Sequence, residues 1–218
     1  MCRYFVMFKG LTQFSKWAYL SASGYHRKCK DKTLSSGVVQ VGKNHVMVNR
    51  NVPALMCLKN EFALDPATEM VFYHTRVPFD GKTDSVKLVN THPFLFDNDR
   101  FIAMHNGLIK FKPHYKKQIK PEYATQIQGD TDSERFFALW LSFGVEDGFY
   151  KALEYVQPDS TMNLVLYDRV KNELYIYRSK YMHKLVPPVY VSENGFSNFK
   201  TPDSKTIQKG SLIRTTIS

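Results

Sequence analysis

Asn163–Asp168 (NLVLYD) and Glu173–Arg178 (ELYIYR) are apolar, β-branched and aromatic stretches joined by the short connection Arg169-Val170-Lys171-Asn172. Alternation on both sides of such a connection predicts an antiparallel hairpin, and a sheet with an apolar face must bury it against another layer. Further strands are expected at Arg3–Phe8 (RYFVMF), closed by Lys9-Gly10, and at Gly37–Val41 and His45–Asn49 around the Gly42-Lys43-Asn44 turn. Met70–Thr75, Phe101–His105, Val189–Ser192 and Leu212–Ile217 complete the set, with Phe101–His105 expected to break at the turn-forming pair Asn106-Gly107. Roughly eight or nine strands with the helices grouped between them predict layered α+β rather than alternating βα units.

The firmest helix start is Thr131-Asp132-Ser133-Glu134, which fits the S/T-x-x-E capping box and opens a helix running to Phe143, with Gly144 as its stop. Asp132 in the first turn would complement the helix dipole. Other helices are expected at Leu11–Tyr25, stopped by Gly24, and at Asp147–Val156, while Pro53–Leu64 fits a short helix or a loop equally. Pro78 and Gly81 force irregular structure over Val77–Gly81, and Lys110–Gln128 reads as a basic loop with a helical turn.

A chain of 218 residues with 43% hydrophobic content supports one domain, 1–218. Its apolar runs are too short to span a bilayer, and no secretory leader is read at the start, so a cytoplasmic location is expected. Three cysteines, Cys2, Cys29 and Cys57, lack C-x-x-C spacing and argue against a disulfide framework or a zinc site. A net charge of +10 favours anionic partners, nucleotides or nucleic acid among them, although the basic residues are dispersed.

Cys2 directly follows the initiator methionine, so clipping Met1 would give one residue a thiol and an α-amine. Their reference pKa values, about 8.5 and about 7.7–8.0, match a nucleophile with its own proton acceptor near neutral pH. A strand beginning at Arg3 would support it rigidly.

Cys2, His74-Thr75-Arg76, Asn90-Thr91-His92-Pro93-Phe94, His105-Asn106-Gly107 and Gly129-Asp130-Thr131-Asp132-Ser133-Glu134 occur in that order. Together they resemble the class II glutamine amidotransferases, the group with an N-terminal nucleophile, and look most like its small stand-alone members. The resemblance covers nearly the whole chain and implies a four-layer αββα sandwich of the N-terminal-nucleophile hydrolase type. It implies L-glutamine as substrate, Cys2 as nucleophile, Asn106 and Gly107 as oxyanion donors, Arg76 for the α-carboxylate and Asp132 for the α-ammonium. His105 reads as structural, and no metal or cofactor is implied. Released ammonia would serve a separate synthase partner, and the basic balance would suit a nucleotide-linked acceptor.

The chain departs from the family pattern at Phe79 and Asp80, where a Thr and often a His follow the arginine, and at Ser35-Ser36-Gly37, where Arg-Gly or His-Gly is usual. Two other readings stay open: a γ-glutamyl peptide or other amide hydrolase on the same scaffold, and a catalytically silent basic binding module.

Overall fold

A computed structural model describes residues 2–22, 35–76, 87–181 and 186–217. Strands β1 (Arg3–Met7), β2 (Ser35–Gly42), β3 (Val46–Pro53) and β4 (Thr68–Arg76) form one sheet with β9 (Tyr190–Ser192), β10 (Gly195–Ser197) and β11 (Lys205–Thr206), in the order β11-β9-β10-β1-β4-β2-β3. The second sheet, β12-β8-β7-β6-β5, contains β5 (Phe94–Phe96), β6 (Phe101–Leu108), β7 (Thr161–Asp168), β8 (Glu173–Arg178) and β12 (Ser211–Thr216). Every pairing within the two sheets is antiparallel. The hairpin at 163–178 is present, its register running from Asn163↔Arg178 to Asp168↔Glu173.

The period of two along each strand sorts the apolar side chains into three layers. In β1, Phe5 and Met7 point out to helix α1 (Phe14–Ala22), where Phe14 and Trp17 meet them, while Tyr4 and Val6 point in toward the other sheet. In β6, Ile102 and Met104 fill the space between the sheets, whereas Phe101 and Ala103 face α4 (Asp132–Ser142) and α5 (Val145–Leu153). Helix α2 (Ala54–Leu58) adds the buried Cys57 to the outer layer over β1 and β4. Helix, sheet, sheet and helix therefore stack as an αββα sandwich.

Several boundaries differ from the sequence reading. The first helical segment divides into a 3-10 turn, Leu11–Gln13, and α1, and the proposed stop at Gly24 lies outside the described residues, as do Cys29 and Val77–Gly81. Helix α4 is buried from Ser133 to Ser142 except at Arg135, because Lys110–Gln128 covers its outer side. That segment forms a 3-10 turn, Tyr115–Gln118, and a short helix α3 (Pro121–Ala124), and lays Phe111, Tyr115, Ile119, Tyr123 and Ile127 against the core. The apolar residues on more than one face of α4 are thus matched by two coverings.

Candidate active site

Cys2 stands half-buried just before β1. The β1–β4 register pairs Arg3 with Thr75 and Tyr4 with His74, so one further step sets Cys2 opposite Arg76 at the same end of the sheet. By alternation, Cys2 shares the inner face with Tyr4, and Arg76 shares it with His74 and Phe72. From the facing sheet, Asn106 shares the inner face of β6 with Met104, beside Asn163 on β7. The two sheets are tied at this end by His74, whose Nε2 lies 3.1 Å from the carbonyl oxygen of His105. Cys2, Arg76 and Asn106 therefore converge on one end of the space between the sheets.

At that end the filling changes from apolar to polar. Tyr4, His74, Asn106 and Asn163 are all essentially inaccessible to solvent. Tyr4 Oη, His74 Nδ1, Asn163 Oδ1 and both amide atoms of Asn106 have no hydrogen-bond partner among the described residues. Each such buried polar atom costs about 1–3 kcal/mol, so a concentration of them marks a site kept for something other than stability.

Arg76 is held from the loop before β5: its Nη1 donates to the Asn90 carbonyl. Asn90 in turn donates to Asp130 Oδ1 at 2.6 Å and accepts from the Asp130 amide at 3.0 Å, joining the Arg76 strand to the segment that opens α4. Asp132 braces the other arm. Its Oδ2 accepts from the Ile109 amide at 2.6 Å and its Oδ1 from the Ser133 amide at 2.8 Å, so the carboxylate grips the chain two residues beyond Gly107. An ionised carboxylate has about four acceptor positions and retains room for a further donor.

Thr131 caps α4 by accepting from the Glu134 amide at 3.2 Å, as the sequence predicts. The reciprocal half of a capping box is absent from the bonds formed here: both Glu134 oxygens, at 2.8 Å, take the amides of Gln128 and Gly129 and fix the preceding loop. His105 is buried, with Nδ1 2.8 Å from Ser133 Oγ.

Two glycines have reasons invisible in the sequence. Asn106-Gly107 does not end its strand: β6 continues to Leu108, pairing Gly107 with Met162. Gly107 has φ +151°, and a Cβ there would fall 1.9 Å from the Thr161 carbonyl oxygen, so its small size first serves the approach of β7. Gly37, in the segment that departs from the family pattern, has the same need, because a Cβ would lie 1.7 Å from the His92 carbonyl oxygen. Gly37→Ala must push β2 away from the 90–94 loop that anchors Arg76, at an expected cost of about 3 kcal/mol or more. Urea unfolding of the variant checks this, and a midpoint equal to the parent's would contradict the packing.

His92 belongs to the Asn90–Phe94 motif of the sequence, which assigned it no role of its own. Its ring lies 4.2 Å from that of His74 and 4.4 Å from that of Phe94, centroid to centroid, and is buried. Burial lowers the pKa of His74 to about 3, that of His92 well below 6.5, and that of His105 in the same direction. All three are neutral in the fold and titrate near 6.5 when unfolded. Below about pH 6.5 the unfolded chain binds protons that the fold refuses, so stability is fully present above that pH and falls beneath it. Between pH 7.5 and 5.5 the loss should reach up to about 3 kcal/mol from His74 and His92, each weighing about 1.4 kcal/mol per pH unit below the unfolded value. Denaturant unfolding at the two pH values measures it, and equal stability would show that these rings ionise freely.

Among the described residues no group of three or more His, Cys, Asp or Glu side chains is placed to hold a metal ion, and no helix is long and apolar enough to cross a membrane. A polar pocket of about 330 Å³ opens elsewhere, lined by Arg50, Asn98, Asp99, Gln126 and Glu134 together with β5. Arg50 also donates to the Pro93 carbonyl at 3.4 Å, bracing the 90–94 loop from behind.

The architecture has counterparts among solved structures. A glutamine aminotransferase class-II domain protein from Silicibacter pomeroyi superposes with a TM-score of 0.58 at 20% identity, over 84% of this chain and 87% of that one. The chain shares the fold of a class II glutamine amidotransferase domain. The glutamine phosphoribosylpyrophosphate amidotransferase of B. subtilis, complexed with ADP and GMP, superposes over 90% of the chain and 41% of its own, at 13% identity and a TM-score of 0.56. Two curated proteins are similar over part of the chain. Glutamine–fructose-6-phosphate aminotransferase of Streptococcus pyogenes serotype M6 is 26% identical over 167 residues, 73% of this chain and 24% of its own length. The probable glutamine amidotransferase DUG3 of Saccharomyces cerevisiae is 42% identical over 78 residues, 34% of this chain and 20% of its own length. The chain spans about a quarter or less of these relatives. No family model matches it.

Proposed function

We propose that the chain is a class II glutamine amidotransferase domain that hydrolyses the γ-amide of L-glutamine and releases ammonia. The observation that carries this reading is the meeting of Cys2, Arg76 and Asn106 at one end of the space between the sheets, with the Asn106 amide buried and without a partner among the described residues. The fold shared with class II glutamine amidotransferases supports it.

Arg76 takes the substrate α-carboxylate, which its planar fork suits, and Asp132 takes the α-ammonium. Held at both charged ends, glutamine presents its amide carbon to the Cys2 sulfur. The Cys2 α-amine takes the thiol proton, the resulting thiolate attacks, a C–S bond forms, and the carbonyl electron pair moves to oxygen, where the Asn106 side chain and the Gly107 amide donate to it. The tetrahedral adduct collapses with cleavage of the C–N bond, and the Cys2 α-amine passes its proton to the departing ammonia. Water then adds to the γ-glutamyl thioester, the C–S bond breaks, and glutamate leaves. An α-amine requires loss of Met1, which is part of the proposal. A separate ammonia-accepting synthase is proposed as partner, its acceptor unidentified beyond the preference of a +10 chain for anionic molecules.

An electrophilic glutamine analogue tests the assignment. Peptide mapping should find one adduct, at Cys2, suppressed by excess glutamine. Cys57 is buried and its thiol is pushed up to about 12, so it should stay unmodified. An unmodified Cys2 would favour a silent binding module.

A further inference from the structure

Oxyanion stabilisation needs the Asn106 amide aimed to within a few tenths of an ångström, yet no hydrogen bond among the described residues fixes that side chain. Its direction must come from the backbone that carries it. The carbonyl of the preceding residue, His105, belongs to the peptide unit whose nitrogen is that of Asn106, and this carbonyl is met by His74 Nε2 from the opposite sheet at 3.1 Å. A carbonyl only accepts, so Nε2 carries the proton and Nδ1 is the bare nitrogen. The His74 ring is clamped by His92, 4.2 Å away, which is itself set against Phe94. His74 also stands two residues before Arg76 on β4, so one ring relates the strand of the carboxylate-binding arginine to the strand of the oxyanion donor.

We propose that His74 is a positioning residue for the oxyanion site, aiming Asn106 over Cys2 through the His105 carbonyl. The proposal rests on the glutaminase reading above. Burial holds the imidazole neutral, which keeps Nε2 a donor and Nδ1 bare throughout the working pH range.

The test compares His74→Phe, His74→Gln and His74→Asn in the full, amino-terminally processed chain, with active sites counted by an electrophilic glutamine analogue. A glutamine side chain can place its amide N–H near the position of Nε2, whereas asparagine reaches only that of Nδ1. Per active site, His74→Phe and His74→Asn should lose about 10²-fold in kcat, with KM for glutamine within about threefold, because Arg76 and Asp132 still hold the ground state. His74→Gln should recover at least about tenfold of that loss. A γ-aldehyde glutamine analogue, which forms an oxyanion on Cys2, should bind more weakly in step with kcat, while inhibition by glutamate stays unchanged. If His74→Phe does not fold, the Gln and Asn pair makes the same comparison. The proposal is overturned if kcat per site is unchanged, if Gln is no better than Asn, or if KM alone rises. A parent chain that releases no glutamate refutes the glutaminase reading itself, whereas an active parent with indifferent variants refutes only the role of His74.

Discussion

Cys2→Ala should lower glutamate release by at least about 10⁴-fold while leaving the fold unchanged. Alanine also permits removal of the preceding methionine, so this variant keeps the α-amine and deletes only the attacking sulfur. The remaining groups would bind glutamine and polarise its carbonyl with nothing to form the acyl intermediate, and removal of a covalent nucleophile is among the largest single losses an enzyme can suffer. Cys2 precedes β1 and is half-buried, outside the three apolar layers, so thermal unfolding should move little. Glutamine-dependent glutamate release together with the melting temperature checks both halves. Residual activity within tenfold of the parent would remove Cys2 from the mechanism.

Asn106→Ala should separate function from stability in a way a core residue would not. Asn106 is 1% exposed, and neither of its amide atoms has a partner among the described residues, so the fold already bears their desolvation. Truncation removes that cost and leaves a small cavity, and the two effects should cancel to within about 1 kcal/mol. Activity should fall by about 10²–10³-fold in kcat, the loss typical of one oxyanion donor, with KM for glutamine little changed. Denaturant unfolding beside steady-state kinetics provides the comparison. A variant that loses stability and keeps its kcat would make Asn106 a packing residue.

Much of this arrangement was legible because local chemistry and tertiary structure agree. The hairpin at Asn163–Arg178 and the Thr131 cap need only neighbouring residues, and both form. Strand β4 forms over the Met70–Thr75 run and carries Arg76, as its apolar pattern predicted. The sequence was misleading where distant partners override local preference. Asn-Gly favours a tight turn, yet Asn106 and Gly107 stay in β6 because β7 pairs with them through Asn163 and Met162. The role of Glu134 was misassigned for a similar reason, since Gln128 and Gly129 compete for its carboxylate and win. Gly37 and His92 each stood inside a motif the sequence marked, but their packing roles were not legible there, because the contact forms only when β2 is laid against the 90–94 loop. The departure at Ser35-Ser36-Gly37 keeps the one property that contact requires, the missing side chain at residue 37.

In the proposed mechanism a mature Cys2 supplies both the sulfur and the proton acceptor. Glutamine labelled with ¹⁵N in its amide should be given to the processed chain and to the same chain blocked at its amino end by an extra residue. Labelled ammonia and glutamate should appear in equal amounts from the first and be essentially absent from the second. No release from the processed chain, or equal release from both, would contradict that mechanism.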